Sequence, residues 1–358
     1  MMVVIFGGAG FVGSHVAEHF ANRGEHVVVV DNRSRGILLG TTERHCDNWD
    51  WVSSLPRTEL IESSILEAEH VAELVSGADA VVHAASQTAV TASIDDPRTD
   101  FSVNLIGTFN VLEAVRLAAP KAAFVFCSTN KVYGTNVNRL PVIRSETRYA
   151  LDAGWEAGVP ETLSIDLCEH SPYGVSKTAA DLYAQEYGHL YGLHTTTLRM
   201  SCIYGPRQWG VSDQGWITWF ARAILNAEPI TIYGDGLQVR DVLYVTDLVH
   251  AIELAIDRRG AGDVYNIGGG PEFQSSLIEA VTQLEALTGR MADITYADWR
   301  HSDQRVYISD IRKARSSLGW HPQVPPAEGI PRVLEWLKAQ PEVDDQLYPT
   351  LLSRTTPT

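Results

Sequence analysis

Tyr173 and Lys177 stand at i and i+4 in the run Ser171-Pro172-Tyr173-Gly174-Val175-Ser176-Lys177. Ser171 suits a helix N-cap and Pro172 the first helical turn, so the phenol and the amine fall on one face at the start of a helix. An ammonium beside a phenol favours the phenolate, and the positive end of the helix dipole acts in the same sense. A phenol so placed can take the proton of an alcohol while hydride leaves the same carbon. Ser128 and Thr129 directly follow an apolar run, residues 123–127, that reads as a strand. At the carboxyl end of a strand in an open parallel sheet, a hydroxyl can share that alcohol proton; the alternative is that the pair only caps the next turn. Tyr-x-x-x-Lys alone arises often by chance, so its weight depends on what precedes it.

What precedes it is Gly7-Gly8-Ala9-Gly10-Phe11-Val12-Gly13, after an apolar strand and before an amphipathic helix. The glycines permit a tight turn and close approach of backbone to a pyrophosphate, and the helix start offers free N–H donors. The segment satisfies both G-x-x-G-x-x-G and G-x-G-x-x-G. Asp31 ends the second strand, where a carboxylate accepts hydrogen bonds from both hydroxyls of an adenosine ribose and repels a 2′-phosphate. That selects NAD over NADP, against the pull of Arg33 and Arg35.

The elements that must position these groups follow from periodicity. Apolar runs at 3–6, 27–30, 80–83, 123–127 and 195–198 read as strands, and the stretches 11–23, 66–76, 103–119 and 173–191 as helices. Near-continuous apolar strands alternating with helices predict an α/β fold, a Rossmann-type doubly wound parallel sheet. Residues 134–170 break the rhythm as a polar, Gly- and Pro-bearing segment. After residue 199 turn signals multiply, and helices are expected at 216–226, 247–256, 275–287 and 326–339. The expected organisation is a dinucleotide-binding domain over 1–199 carrying the Tyr/Lys helix. A smaller C-terminal α/β substrate lobe spans 200–340, with segments returning to the sheet, and a tail spans 341–358.

The chain has 358 residues, 28 Lys and Arg against 44 Asp and Glu, and a net charge of −16. That balance argues against a general nucleic-acid binder, and no polybasic patch addresses a membrane surface. An anionic ligand must then be held by local arginines and backbone N–H groups. Arg207, Arg240 and Arg300 are the candidates in the second half, with a solvated surface role the alternative for Arg207. Cys46, Cys127, Cys168 and Cys202 show no metal-site spacing, so no metal is expected, and they read as reduced thiols of a cytoplasmic protein. No apolar run reaches the ~18 residues of a membrane span, and residues 1–8 read as the start of a strand, so no leader is expected. His83 reads as a core histidine, Lys131 as structural, and Cys202 as pocket-lining rather than an acid/base thiol.

Gly7, Gly10, Gly13, Asp31, His83-Ala84-Ala85, Asn104, Ser128-Thr129, Tyr173 and Lys177 together resemble the extended short-chain dehydrogenase/reductase family, the nucleotide-sugar epimerases and dehydratases. The resemblance runs from Val3 to about Trp320. The runs Ser128–Gly134, His170–Gly174, Arg199–Cys202 and Gln238–Asp241 are similar to its subfamily that epimerises CDP-hexoses of the paratose and tyvelose type at C2. Most 4-epimerases have Asn where Cys202 stands and a small residue where Asn130 stands.

The resemblance implies catalytic roles for Thr129, Tyr173 and Lys177, with Lys177 also on the nicotinamide ribose. It implies NAD contacts from Gly7, Gly10, Phe11, Val12, Gly13, Asp31, Asn32, Arg35, Ala84, Ala85, Gln87, Asn104 and Met200. Ser64-Ile65 stand where the family usually has Asp-Ile or Asp-Leu, which passes the adenine contact to backbone. Ser128, Thr129, Asn130, Cys202, Arg207, Arg240, Arg300 and Asp303 are implied to face a nucleotide-diphosphate sugar, with a CDP-hexose favoured. The apolar stripes of 103–119 and 173–191 are implied to form a four-helix homodimer contact; the alternative is burial within one subunit.

The chemistry implied is transient oxidation to a keto-sugar and return of hydride to its other face, with no net redox. The residues by themselves allow C2, C3 or C4 as the centre, and a UDP-sugar 4-epimerase is the rival reading. A 4,6-dehydratase needs an acid/base pair just after the threonine, where Asn130 and Lys131 stand. A non-catalytic NAD-binding regulator would tolerate loss of Tyr173, which is intact.

Overall fold

The computed structural model describes residues 1–38, 48–300 and 302–340. The expected tail, 341–358, and Cys46 lie outside the described residues.

Seven strands form one parallel sheet: β1 (Met2–Phe6), β2 (His26–Asp31), β3 (Thr58–Glu62), β4 (Ala80–His83), β5 (Ala123–Thr129), β6 (His194–Met200) and β7 (Asp263–Ile267). Their spatial order is β7-β6-β5-β4-β1-β2-β3. The order reverses between β1 and β4, and a crevice opens there beyond the carboxyl ends of the strands.

Alternation along each strand explains how both faces are covered. Val3, Ile5, Val27, Val29, Val82 and Val125 face one side, with Val16 and Phe20 of α1 (Phe11–Asn22) and Leu248 and Ile252. Val4, Phe6, Val28, Val30, Val81, Phe124 and Phe126 face the other, with Val71 and Val75 of α2 (Ala68–Val75), Val111 and Val115 of α3 (Gly107–Ala118), and Ala180 and Ala184 of α4 (Pro172–Tyr191). Successive side chains point to opposite faces, so a run such as Val27–Val30 fills two cores at once. Each fully buried Val or Phe contributes about 1.5–3 kcal/mol.

The second half builds a third core from Ile217, Phe220, Ile224, Ile232, Val281, Leu284, Val333 and Leu334. It does not stay separate from the sheet. The helix Val245–Arg258 packs on the first core, and β7 extends the sheet beside β6.

Three local features differ from the sequence reading. The strand Thr58–Glu62 is not among the expected ones, because only Leu60 and Ile61 of its five residues are apolar, as suits an edge strand with one partner. The helix expected from Val103 begins as a π-turn, Ser102–Ile106, before α3. The polar segment 134–170 carries a hairpin, Val142–Arg144 with Tyr149–Leu151, over a small core of Val132, Tyr133, Val137, Leu140 and Val159. No helix among the described residues is long and apolar enough to cross a membrane.

Candidate active site

The Gly7–Gly13 turn crosses the crevice between β1 and α1. Gly7 has φ +79°, and a Cβ there would stand 2.5 Å from the backbone nitrogen of Ala85. A Cβ on Gly13 would run into the Gly7 carbonyl oxygen. Gly10 is the N-cap of α1 and brings no side-chain acceptor to the helix start. The turn is therefore a backbone cradle with helix N–H groups at its floor, which fits a pyrophosphate. Asp31 stands at its rim, where its carboxylate accepts from the backbone N–H of Ala9 (3.0 Å) and of Arg33 (2.8 Å). These residues fit a dinucleotide.

A cavity of about 790 Å³ continues from this cradle into the second half of the chain. Its walls include Gly7, Gly10, Phe11, Val12, Gly13, Asp31, Asn32, Arg35, Ser64, Ile65, Ala84, Ala85, Gln87 and Met200 on one side. Ser128, Thr129, Asn130, Tyr173, Lys177, Cys202, Arg240, Arg300 and Asp303 follow on the other. Two expected site residues are not in its walls. Asn104 is buried behind the 84–89 segment, where its Oδ1 accepts from the Gln87 N–H (2.9 Å) and the Ser86 hydroxyl (2.8 Å), and its amide donates to Asp100 (2.9 Å). It shapes the wall from behind. Arg207 has a left-handed backbone, φ +64°, which turns its guanidinium to Glu18 (2.6 Å) on α1 and over the Trp51 ring. It lies outside the cavity wall, and not within it as the substrate contact expected of it would require.

The candidate reacting groups come from two elements. Ser171 caps α4, its hydroxyl accepting from the Gly174 N–H (3.2 Å), and this sets Tyr173 in the first turn. The phenol lies against the Thr129 hydroxyl at the end of β5. Burial pushes the phenol up to about 12, opposed by the hydrogen bond with Thr129.

Lys177 does not sit where the simple phenol–ammonium pairing puts it. Its Nζ donates to the Cys127 carbonyl (2.8 Å) and lies 4.3 Å from the centre of the Phe126 ring. The hydrogen-bond partner of the ammonium is therefore this carbonyl and not the phenol. Burial pushes Lys177 itself down to about 8, against the charges of Cys127, Asp181 and Asp100. Of the two adjacent hydroxyls, Thr129 is the one that interacts with the phenol, and it also donates to the Asn130 Oδ1 (3.4 Å). Ser128 donates to Asp181 (2.7 Å), which also holds Arg199 in a buried ion pair (3.0 Å).

At the far end Arg240 donates to Asp303 (2.8 Å), and the Lys131 ammonium stands 3.7 Å from the same carboxylate. Arg300 pairs with Asp213 (2.7 Å) and lies over Tyr233, its guanidinium carbon 4.0 Å from the ring centre. Lys131 is thus a cavity-wall cation rather than a purely structural residue. Cys202 lines the wall and accepts from the Trp216 indole N–H (3.5 Å), and burial raises its thiol, which suits wall lining better than acid/base work. Sequence reasoning missed Thr91 and Ser212–Gly215, which also line the cavity. No local motif marks them, because they meet the site only through tertiary contact. His83 is buried with its Nε2 2.9 Å from the Thr108 hydroxyl, and burial lowers it to about 3. Among the described residues no three His, Cys, Asp or Glu side chains group as a metal site.

Comparison with known proteins matches residues 3–268 to the NAD dependent epimerase/dehydratase family. The chain is 37% identical over 345 residues to CDP-paratose 2-epimerase of Salmonella typhi, covering 94% of this chain and 99% of that protein. The crystal structure of UDP-glucose 4-epimerase with UDP-glucose from Thermotoga maritima superposes with a TM-score of 0.77 at 32% identity, covering 94% and 99% of the two chains. UDP-glucose 4-epimerase of Thermus thermophilus in complex with NAD superposes with a TM-score of 0.76 at 30% identity, covering 95% and 99%.

Proposed function

The chain belongs to the NAD dependent epimerase/dehydratase family, and from that premise we propose that it inverts C2 of a CDP-hexose of the paratose or tyvelose type through a transient ketone. The observation that carries the reading is one cavity holding the Tyr173 phenol, the Thr129 hydroxyl against it, and the glycine cradle. NAD, when bound, supplies the acceptor and the returning donor of hydride.

Gly7–Gly13 would hold the pyrophosphate and Asp31 the adenosine ribose, with Ser64 and Ile65 lining the adenine end. Ala84, Ala85, Gln87 and Met200 would line the nicotinamide half, and Lys177 would hold its ribose. Tyr173 accepts the proton of the sugar hydroxyl and gives it back after the ketone has turned its other face. The Thr129 hydroxyl holds the same oxygen. Arg240 and Arg300 receive the diphosphate, as bidentate guanidinium groups suit it, and the Asp303 carboxylate accepts from the nucleoside's ribose hydroxyls.

Epimerisation is preferred to elimination of water because Asn130 and Lys131 follow Thr129. A neutral amide cannot act as the acid of a β-elimination. The C2 centre and the cytidine base rest on the 37% identity to the Salmonella typhi enzyme and on Asn130 and Cys202. A UDP-sugar 4-epimerase is the second reading, favoured by the two superposed 4-epimerases. A homodimer through α3 and α4 is part of the proposal. It is supported by Phe109 and Leu117 of α3 and by Val175, Leu182, Tyr183 and Leu190 of α4, all of them exposed. Incubating the protein with CDP- and UDP-hexoses and identifying the product stereoisomer by NMR tests the reading. A C2 epimer from the CDP-sugar supports it, and a C4 epimer from the UDP-sugar alone overturns it.

A further inference from the structure

A tight turn spans the cavity from one ligand half to the other. Val211 and Gln214 exchange both backbone hydrogen bonds (2.8 and 3.0 Å), so Ser212 and Asp213 form a two-residue tip. Asp213 directs one carboxylate oxygen to each half. Its Oδ2 accepts from the Thr91 hydroxyl (2.8 Å), on the segment that follows β4 past Ala84 and Gln87. Its Oδ1 pairs with Arg300 (2.7 Å), which also donates to the Ser212 carbonyl (3.1 Å). A second tie runs from Arg35, beyond Asp31, to the Gln214 side chain (2.9 Å) and the Trp209 carbonyl (2.9 Å).

We propose that the 211–214 turn is a clasp across the cavity and that Asp213 is a positioning residue that couples the grip on a nucleoside diphosphate, through Arg300, to retention of the dinucleotide, through Thr91. The inference rests on the reading of the cavity given above and deepens it. Arg300 lies over the Tyr233 ring, pairs with Asp213 and lines the cavity that an anion would enter. An anion that fixes Arg300 fixes Asp213, and Asp213 fixes the Thr91 segment over the cofactor half. Ordering one half thereby lowers the cost of keeping the other ordered, which is positive coupling between two sites. A reaction that returns hydride to the same sugar has use for it, because the dinucleotide must stay while the sugar turns.

The test follows exchange of bound NAD for isotopically labelled NAD in the holoenzyme, read by mass spectrometry, with and without saturating CDP. In the native protein CDP should slow exchange by about tenfold or more, as coupling of ordinary size predicts. Asp213→Asn and Thr91→Val should each reduce that slowing to less than about twofold, and Thr91→Ser, which keeps the hydroxyl, should restore it. If the Asp213 variant does not fold, the Thr91 pair decides alone. Absence of slowing in the native protein, or full slowing in any folded Asp213→Asn or Thr91→Val variant, overturns the inference while leaving the proposed function standing. Failure of CDP, UDP and dTDP all to bind overturns both.

Discussion

The ammonium of Lys177 lies 2.8 Å from the Cys127 carbonyl, on the strand that ends in Thr129, rather than on the phenol of Tyr173. The helix and the strand are thereby tied together beneath the site. The two titrating groups are also displaced in opposite directions, the phenol up to about 12 and the amine down to about 8.

The active form, phenolate with ammonium, is then a minority species. Its fraction rises with pH while the amine stays protonated, and levels off once the amine itself is lost above about 8. The kcat/KM of the holoenzyme should climb from pH 6 to about 8 and flatten above it. In Lys177→Met the flat region should vanish at a lower overall rate. A native profile that falls between pH 6 and 8 contradicts this assignment.

Tyr173→Phe should lower turnover by about 10²–10⁴-fold, the range of a positioned acid/base group. The NAD content of the purified protein should stay at the native level, because the phenol is not part of the cradle. Thr129→Val should lower kcat more than it raises KM. Native turnover in Tyr173→Phe removes the phenol from the chemistry.

Gly13→Ala should purify without NAD, since its methyl group would meet the Gly7 carbonyl oxygen, backbone that cannot move aside. Gly24→Ala is the contrasting variant: φ is +80° but nothing lies within 4 Å, so it should lose a little stability and keep its NAD. Absorbance and mass analysis of the extracted nucleotide measure both.

Asp181→Ala should destabilise the protein by about 3–5 kcal/mol, because it leaves the Arg199 charge buried without its carboxylate. Ser128→Ala removes a single hydrogen bond to that carboxylate and should cost about 1 kcal/mol. Urea titration of the two variants distinguishes them. Equal losses would mean that Ser128, not the ion pair, anchors the cluster.

What could be read from residue order alone divides along a physical line. Strands buried on both faces, such as Val27–Val30 and Ala123–Phe126, announce themselves as apolar runs. The edge strand Thr58–Glu62 does not, because three of its five residues are polar and none is fully buried. The cradle and the Tyr173–Lys177 pair are local in sequence, so their spacing carries their geometry. Which way an isolated arginine points is not local. Arg240 and Arg300 line the cavity while Arg207, one residue after Pro206, is turned away by its own left-handed backbone. Thr91 and Asp213 lie 122 residues apart and meet only because the fold brings the second half over the first. Lys177 was legible as a residue of the site, but its bond to Cys127 was not, since nothing in the spacing chooses between a phenol and a carbonyl.

The most direct test follows one hydrogen. The protein is given a CDP-hexose carrying deuterium at C2, and the product is analysed by NMR and mass spectrometry. Oxidation and return of hydride at C2 requires the label to remain at C2 in a product inverted there, with C4 unchanged. Inversion at C4 with C2 untouched, or loss of the label to water, would contradict it.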